Sequence, residues 1–219
     1  MLILGNSSAF APDLFAGATG SAPTPTPSIP TTLGSRIDNK ATVVGVLQDH
    51  EGNDYVLAVV DAAYRAGSGM KWSEYTSDSV LQNNDDSTEA LEDNHSGKYN
   101  TDLILSTYTP TDYPAFNFAR NACTVTINGT TYYSVLPNLI ELQLLYNNKN
   151  VLDQYDPTVS EYSSRSMSEF KFGANGSWSS TEKDSERSWS IFYDGDAGDG
   201  YKPVDLGYGV CPVICIPLS

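Results

Sequence analysis

Asn128-Gly129 stands between two β-branched runs, Cys123 to Ile127 and Thr130 to Val135. That pair favours the positive backbone angles of a two-residue hairpin turn, so the segment is predicted to fold back on itself as two antiparallel strands. Leu136-Pro-Asn-Leu-Ile-Glu-Leu-Gln-Leu-Leu-Tyr follows at once. Pro137 is expected to open a helix in which Leu139, Leu142 and Tyr146 form one stripe, with Ile140, Leu144 and Leu145 beside it. An apolar face that wide needs a sheet to pack on. Two further β-rich runs, Ala41 to Leu47 and Tyr55 to Val60, flank the turn Asp49-His-Glu-Gly-Asn. Tyr113 to Ala122 fits a second short helix, with Pro114 in its first turn and Asp112 as N-cap. Ser68 to Asn100 is polar and predicted to be mostly a long loop, with a short helix between Leu81 and Asp93. Trp178 to Leu218 holds β-rich runs separated by Gly/Asp/Ser loops. The expected class is α+β: two short helices packed on small antiparallel sheets.

Residues 1–35 differ from the rest. Prolines fall at 12, 23, 25, 27 and 30, and Asp13 is the only charged side chain. Ala22 to Pro30 reads as a polyproline II spacer. Ahead of it, Leu2, Ile3, Leu4, Phe10, Leu14 and Phe15 suggest either a frayed tail or a segment that orders against a partner. The first five residues carry no basic side chain and too short an apolar run for a secretory signal. No stretch reaches the roughly 18 apolar residues of a membrane span. The globular domain is expected over residues 36–219.

Charge narrows the partners. Twenty-seven acidic residues against 12 basic give a formal charge of −15. A nucleic-acid binder needs a basic face, and an anionic membrane surface attracts the same charge, so both are disfavoured. With 40% hydrophobic residues the chain has material for a core.

Few residues suggest catalysis. Both histidines, His50 and His95, sit in polar, turn-like sequence, and neither lies near a cysteine. There is no GxSxG, no phosphate-cradling glycine loop and no HExxH. Three cysteines are too few for a disulfide scaffold. Cys211 and Cys215 are expected on one face of a single strand, about 13 Å apart at roughly 3.3 Å per residue, too far to bridge. All three are read as buried thiols. Asp194-Gly-Asp196-Ala-Gly-Asp199-Gly has calcium-loop residues but not the spacing, and reads as a solvated turn. No cofactor and no metal is expected.

Several strings together carry a resemblance. They are the Leu136 to Asn148 helix, Trp178-Ser-Ser-Thr-Glu182, Ser188-Trp-Ser-Ile-Phe192 and Gly209-Val-Cys-Pro-Val213. In this order they resemble the variable proteins of diversity-generating retroelements, including phage tropism determinants, whose C-type-lectin-like fold is of the formylglycine-generating-enzyme type. The Ala115-Phe-Asn-Phe-Ala-Arg-Asn-Ala helix is also similar to gut-phage members. Cys211 departs from the arginine of the family's closing motif. The sugar-binding EPN, QPD and WND strings of the wider lectin class are missing, so calcium-dependent sugar chemistry is not expected.

The resemblance implies binding, not catalysis. It implies a non-enzymatic receptor-binding protein on a phage particle, exposed to the extracellular environment, with a diversifiable region over about 178–213. The ligand-binding residues it implies are Asp184, Ser185, Arg187, Ser190, Phe192, Tyr193, Asp194, Asp196, Asp199, Tyr201, Asp205 and Tyr208. Tyrosine with Asp, Ser and Gly is also the composition of a protein-binding surface. Trp178 and Trp189 are assigned to the core. Adenine-directed changes at the first two positions of an Asn codon cannot yield Lys or Glu, so Lys183, Glu186 and Lys202 are expected either to be fixed or to come from other adenine-bearing codons. The implied partners are a host cell-surface receptor, protein or glycan, and a virion fibre or structural protein held through residues 1–35. Resemblance to tropism determinants implies a homotrimer. Two alternatives remain: a structural or decoration virion protein with a lectin-like domain, and an enzyme of the formylglycine-generating type using Cys211 and Cys215.

Overall fold

The computed structural model of the chain describes residues 28–66, 69–76, 79–152, 176–192, 194–204 and 207–218. It is an α+β fold in which helices pack against two four-stranded sheets. The first sheet holds β1 (Arg36–Ile37), β2 (Ala41–Gln48), β3 (Asp54–Val60) and β10 (Val213–Pro217), in that order and antiparallel throughout. Asp49 closes the β2–β3 turn by accepting from the amides of Glu51 and Asn53 at 3.0 and 2.9 Å.

β3 is buried from Tyr55 to Val60 because both its faces are covered. Tyr55, Leu57 and Val59 enter one apolar cluster, and Val56, Ala58 and Val60 enter another. Alternation along the strand thus appears as a division between two cores rather than between core and water. The second of these cores is closed by the predicted hairpin, β4 (Thr124–Ile127) and β5 (Thr130–Tyr133), through Cys123 and Val125. Asn128 and Gly129 have φ of 52° and 79°, as a two-residue primed turn requires.

Among the described residues there are four α-helices rather than two: α1 (Ser87–Glu92), α2 (Gly97–Thr107), α3 (Pro114–Ala122) and α4 (Leu139–Leu152). α1 lies within Leu81 to Asp93, where the sequence predicts a short helix, whereas the start of α2 falls in the part of that stretch expected to be loop. In α3, Tyr113 rather than Asp112 occupies the cap position, and Asp112 belongs to a preceding 3-10 turn. Pro137 lies just outside α4, whose true cap is Asn138. The Asn138 carboxamide accepts from Glu141 N at 2.7 Å, and the Glu141 carboxylate accepts from Asn138 N at 2.9 Å. This is a reciprocal capping box.

Glu141 is fully buried and does more than cap. It also accepts from Tyr55 Oη at 2.7 Å and Gly97 N at 3.2 Å. Burial pushes its carboxyl up, against the hydrogen bonds from Tyr55, Asn138 and Gly97. One side chain therefore ties β3, the start of α2 and the start of α4 together. From there α4 runs against β2 of the first sheet and reaches the second sheet.

The second sheet has the order β8 (Ala197–Tyr201), β7 (Arg187–Ile191), β6 (Gly176–Glu182), β9 (Tyr208–Gly209). β6 pairs regularly with β7 at Ser177 and Trp178, loses register, and resumes at Glu182. The residues between are buried and polar, yet bonded. Ser179 Oγ donates to Trp189 O at 2.8 Å, and Ser188 Oγ to Thr181 O at 2.9 Å. Ser180 N donates to Pro137 O at 2.7 Å, and Leu139 N to Thr181 Oγ1 at 3.0 Å. The serines supply the partners that the broken ladder leaves wanting.

Trp178 and Trp189 are buried, as assigned from the sequence, and so are all three cysteines. Strand β10 begins at Val213, so Cys211 precedes it and the two cysteines do not share one strand. Of residues 1–35, only 28–35 fall among the described residues. There, Ile29 and Leu33 pack onto the cores and Gly34 and Ser35 bond to Val43. The expected docking segment and most of the Pro-rich spacer lie outside them.

Candidate binding surface

The β7–β8 hairpin and the turn before it carry most of the residues named from the sequence. On antiparallel β7 and β8, Arg187 is opposite Tyr201, Trp189 opposite Asp199 and Ile191 opposite Ala197. Directly opposed residues share a face. Trp189 and Ile191 enter the core, while the Arg187–Tyr201 end of this face comes to the surface.

At that end the side chains hold one another. Arg187 Nη1 reaches Asp199 Oδ1 at 2.8 Å, and Arg187 Nη2 donates to Tyr201 Oη at 3.0 Å. The guanidinium also lies 4.5 Å from the Tyr201 ring centroid. Lys183 pairs with the other Asp199 oxygen and lies 4.9 Å from the Trp189 ring. Partial burial pushes the Asp199 carboxyl up, but Lys183 and Arg187 outweigh it and hold it below the usual carboxylate range. Tyr201 remains 41% exposed. The result is a large aromatic side chain fixed in place and offered to solvent.

The turn from β6 to β7 is equally constrained. Asp184 Oδ1 accepts from the amides of Glu186 and Arg187 at 2.8 and 2.7 Å. Lys202 supports the turn from below, donating to Ser185 O at 3.2 Å while paired with buried Glu182. Asp184 and Ser185 therefore join Arg187, Asp199 and Tyr201 in one patch.

Phe192, Asp194 and Asp196 lie at the opposite end of the hairpin. Asp194 Oδ1 accepts from Asp196 N at 3.2 Å, and Tyr146 of α4 donates to Asp194 O. Gly195, at φ 99°, is needed here, since a Cβ would meet the Tyr146 ring at 2.1 Å. Among the described residues no three His, Cys, Asp or Glu side chains are grouped as a metal ion requires.

Two residues expected to face a ligand are buried instead. Ser190 donates to Gly198 O at 3.3 Å, beneath the sheet. Tyr208 lies 4.2 Å from Trp178, ring centroid to centroid, and both rings fill the space that a side chain at Gly200 would need. Both belong to the scaffold because β7 is covered on both faces: Ser190 lies on the face opposite Trp189 and Ile191, and Trp178, Tyr208 and Phe192 pack over that face. Tyr193 and Asp205 lie outside the described residues. Lys183 is not among the residues that the resemblance implies for the site, yet it is the second cation on Asp199. Its place four residues before Arg187, across a tight turn, is the signal that could have found it.

In comparisons with known proteins, the chain matches no family model, no curated protein and no solved structure.

Proposed function

We propose that the chain is a non-enzymatic receptor-binding protein, with a C-type-lectin-like fold of the formylglycine-generating-enzyme type, carried on a phage particle. In this reading the surface around Arg187, Asp199 and Tyr201 contacts a receptor on the bacterial host, and residues 1–35 attach the chain to a fibre or structural protein of the virion. The observation that carries it is the fixed, exposed Tyr201 beside Arg187, on a hairpin anchored in the core by Trp189 and Ile191. Aromatic and arginine side chains that are ordered before binding lose little freedom on contact, which makes such a pair a natural anchor. The buried cysteines favour this over the enzyme. Burial pushes the Cys215 thiol well above its ordinary value, away from the thiolate that cysteine chemistry uses.

Two tests address the separate parts of the reading. Fluorescently labelled full chain added to the phage's host cells is expected to bind saturably, and to leave non-host cells unlabelled. No binding to host cells would remove the receptor role. For diversification, the gene is expected to lie beside a reverse transcriptase and a near-copy of its last segment differing at template adenines. A locus without that copy would remove diversification and leave binding intact.

A further inference from the structure

The chain has two histidines, 45 positions apart, and the fold stacks them. The His50 ring, at the tip of the β2–β3 turn, lies 4.4 Å from the His95 ring, just before α2. Tyr99 of α2 completes the group, 4.6 Å from His50 and 4.9 Å from His95. His95 is fixed from behind. Its Nδ1 is 2.6 Å from Asp93 Oδ1, and Asp93 Oδ2 accepts from the buried Asn84 at 3.1 Å. Tyr99 is 40% exposed.

A hollow lies on either side of this aromatic group. One, of about 340 Å³, is lined by His95, Asp93, the amides of Gln82, Asn83, Asn84 and Asn94, and the carboxylates of Glu89 and Glu92. The other, of about 400 Å³, runs between the hairpin tip and α2, lined by His50, Tyr99, Asp49, Glu51 and the hydroxyls of Ser96 and Ser106 among others. Leu103 is the only aliphatic side chain in either lining.

This chemistry selects a ligand. Carboxylates outnumber the one lysine, Lys98, which is already paired with Asp102, so an anionic ligand is repelled. The sparse apolar lining gives a lipid nothing to bury against. Amides both donate and accept, carboxylates accept, and imidazoles and hydroxyls can do either, which matches a dense array of hydroxyl groups. Ring faces between two such polar hollows suit the C–H face of a pyranose. We infer that the two hollows, one lined by His95 and the other by His50 and Tyr99, form a binding site for a neutral oligosaccharide, with Tyr99 and the two imidazoles as its stacking platform. The site involves none of the residues of the Arg187–Tyr201 patch.

The two histidines give a direct readout, because the full chain has only two imidazole Cε1–H resonances. It is titrated with neutral tetrasaccharides of glucose, galactose, mannose or N-acetylglucosamine up to about 10 mM, a range that reaches weak binding. At least one sugar is expected to shift both resonances saturably. Tyr99→Ala and the exposed Glu92→Ala are each expected to weaken that binding about tenfold, a loss of about 1.4 kcal/mol, with unchanged thermal midpoints. Arg187→Ala/Tyr201→Ala is expected to keep it, which separates this site from the receptor surface. No shift with any sugar would overturn the inference. So would a shift with tetralysine alone, which would make the site one for basic peptides, or sugar binding undiminished in both single variants.

Discussion

Lys202 and Glu182 form an ion pair in which neither side chain is exposed to solvent. Ser79 donates to the same carboxylate through its hydroxyl, and Lys202 extends its remaining reach to Ser185 O and the Trp72 ring, 5.0 Å away. The pair lies directly beneath the turn that carries Asp184 and Arg187. It makes the presentation of the Arg187–Tyr201 surface a property of the core.

Removing one partner leaves a buried charge unpaired. Lys202→Met is expected to destabilise the fold by about 3–5 kcal/mol, whereas Glu182→Leu/Lys202→Met recovers much of that loss. Urea denaturation of the three proteins measures it. Under the proposed receptor role, the double variant should still lose host-cell binding, because the turn loses the bond to Ser185 O.

Gly97 leaves no room for a side chain. A Cβ there would lie 2.3 Å from Leu136 O and 2.7 Å from Pro137 Cα, both backbone atoms. Gly97→Ala is therefore expected to cost about 2 kcal/mol or more. Gly45→Ala meets only the end of the Leu144 side chain, at 3.3 Å, and is expected to cost under about 1 kcal/mol. Thermal or urea melts of the two variants give the comparison.

At Glu141 every hydrogen-bond partner is a donor: Tyr55 Oη, Asn138 N, Gly97 N and, at 3.6 Å, the Cys215 thiol. An amide in its place turns an NH₂ group toward donors. Glu141→Gln, though nearly the same shape, is expected to destabilise by about 1–3 kcal/mol at neutral pH, as measured by denaturation.

Asp199 gives the surface patch a pH dependence with a definite sign. Its folded-state value lies below the ordinary one. The stability it contributes is thus present above about pH 4, the ordinary aspartate value, and is lost as pH falls through the lower folded value. The gap in melting midpoint between the wild type and Asp199→Asn should be open near neutral pH and close in acid.

Local signals carried much of this fold. The Asn128-Gly129 turn, the Asp49 turn and the apolar run of α4 follow from short-range chemistry; the four strands flanking the two turns are where the sequence placed them to within two residues, while α4 runs on past Tyr146 to Leu152. Helix α2 escaped because its buried face is apolar only at Ile104. Asn100 and Thr101 point inward to bond Ser180 and the Leu136 amide, which erases the hydrophobic period that a helix is recognised by. The Ser96 cap and the Lys98–Asp102 pair were its remaining marks. Within the patch, alternation along β7 places Ser190 on the face opposite the core residues Trp189 and Ile191, and its burial comes from Trp178, Tyr208 and Phe192 packing over that second face, which is tertiary. The burial of Tyr208 depends on Trp178, thirty positions away, and was not legible locally. The stacking of His50 on His95 is likewise a product of tertiary folding.

The central claim is that the Arg187–Tyr201 surface grips the host. It is tested most directly by adsorption of particles carrying Arg187→Ala/Tyr201→Ala, compared with wild-type particles in equal number and with the variant chain shown to be folded. Loss of two anchor residues predicts an adsorption constant reduced about a hundredfold, with particle assembly unchanged. Adsorption equal to wild type would contradict the account.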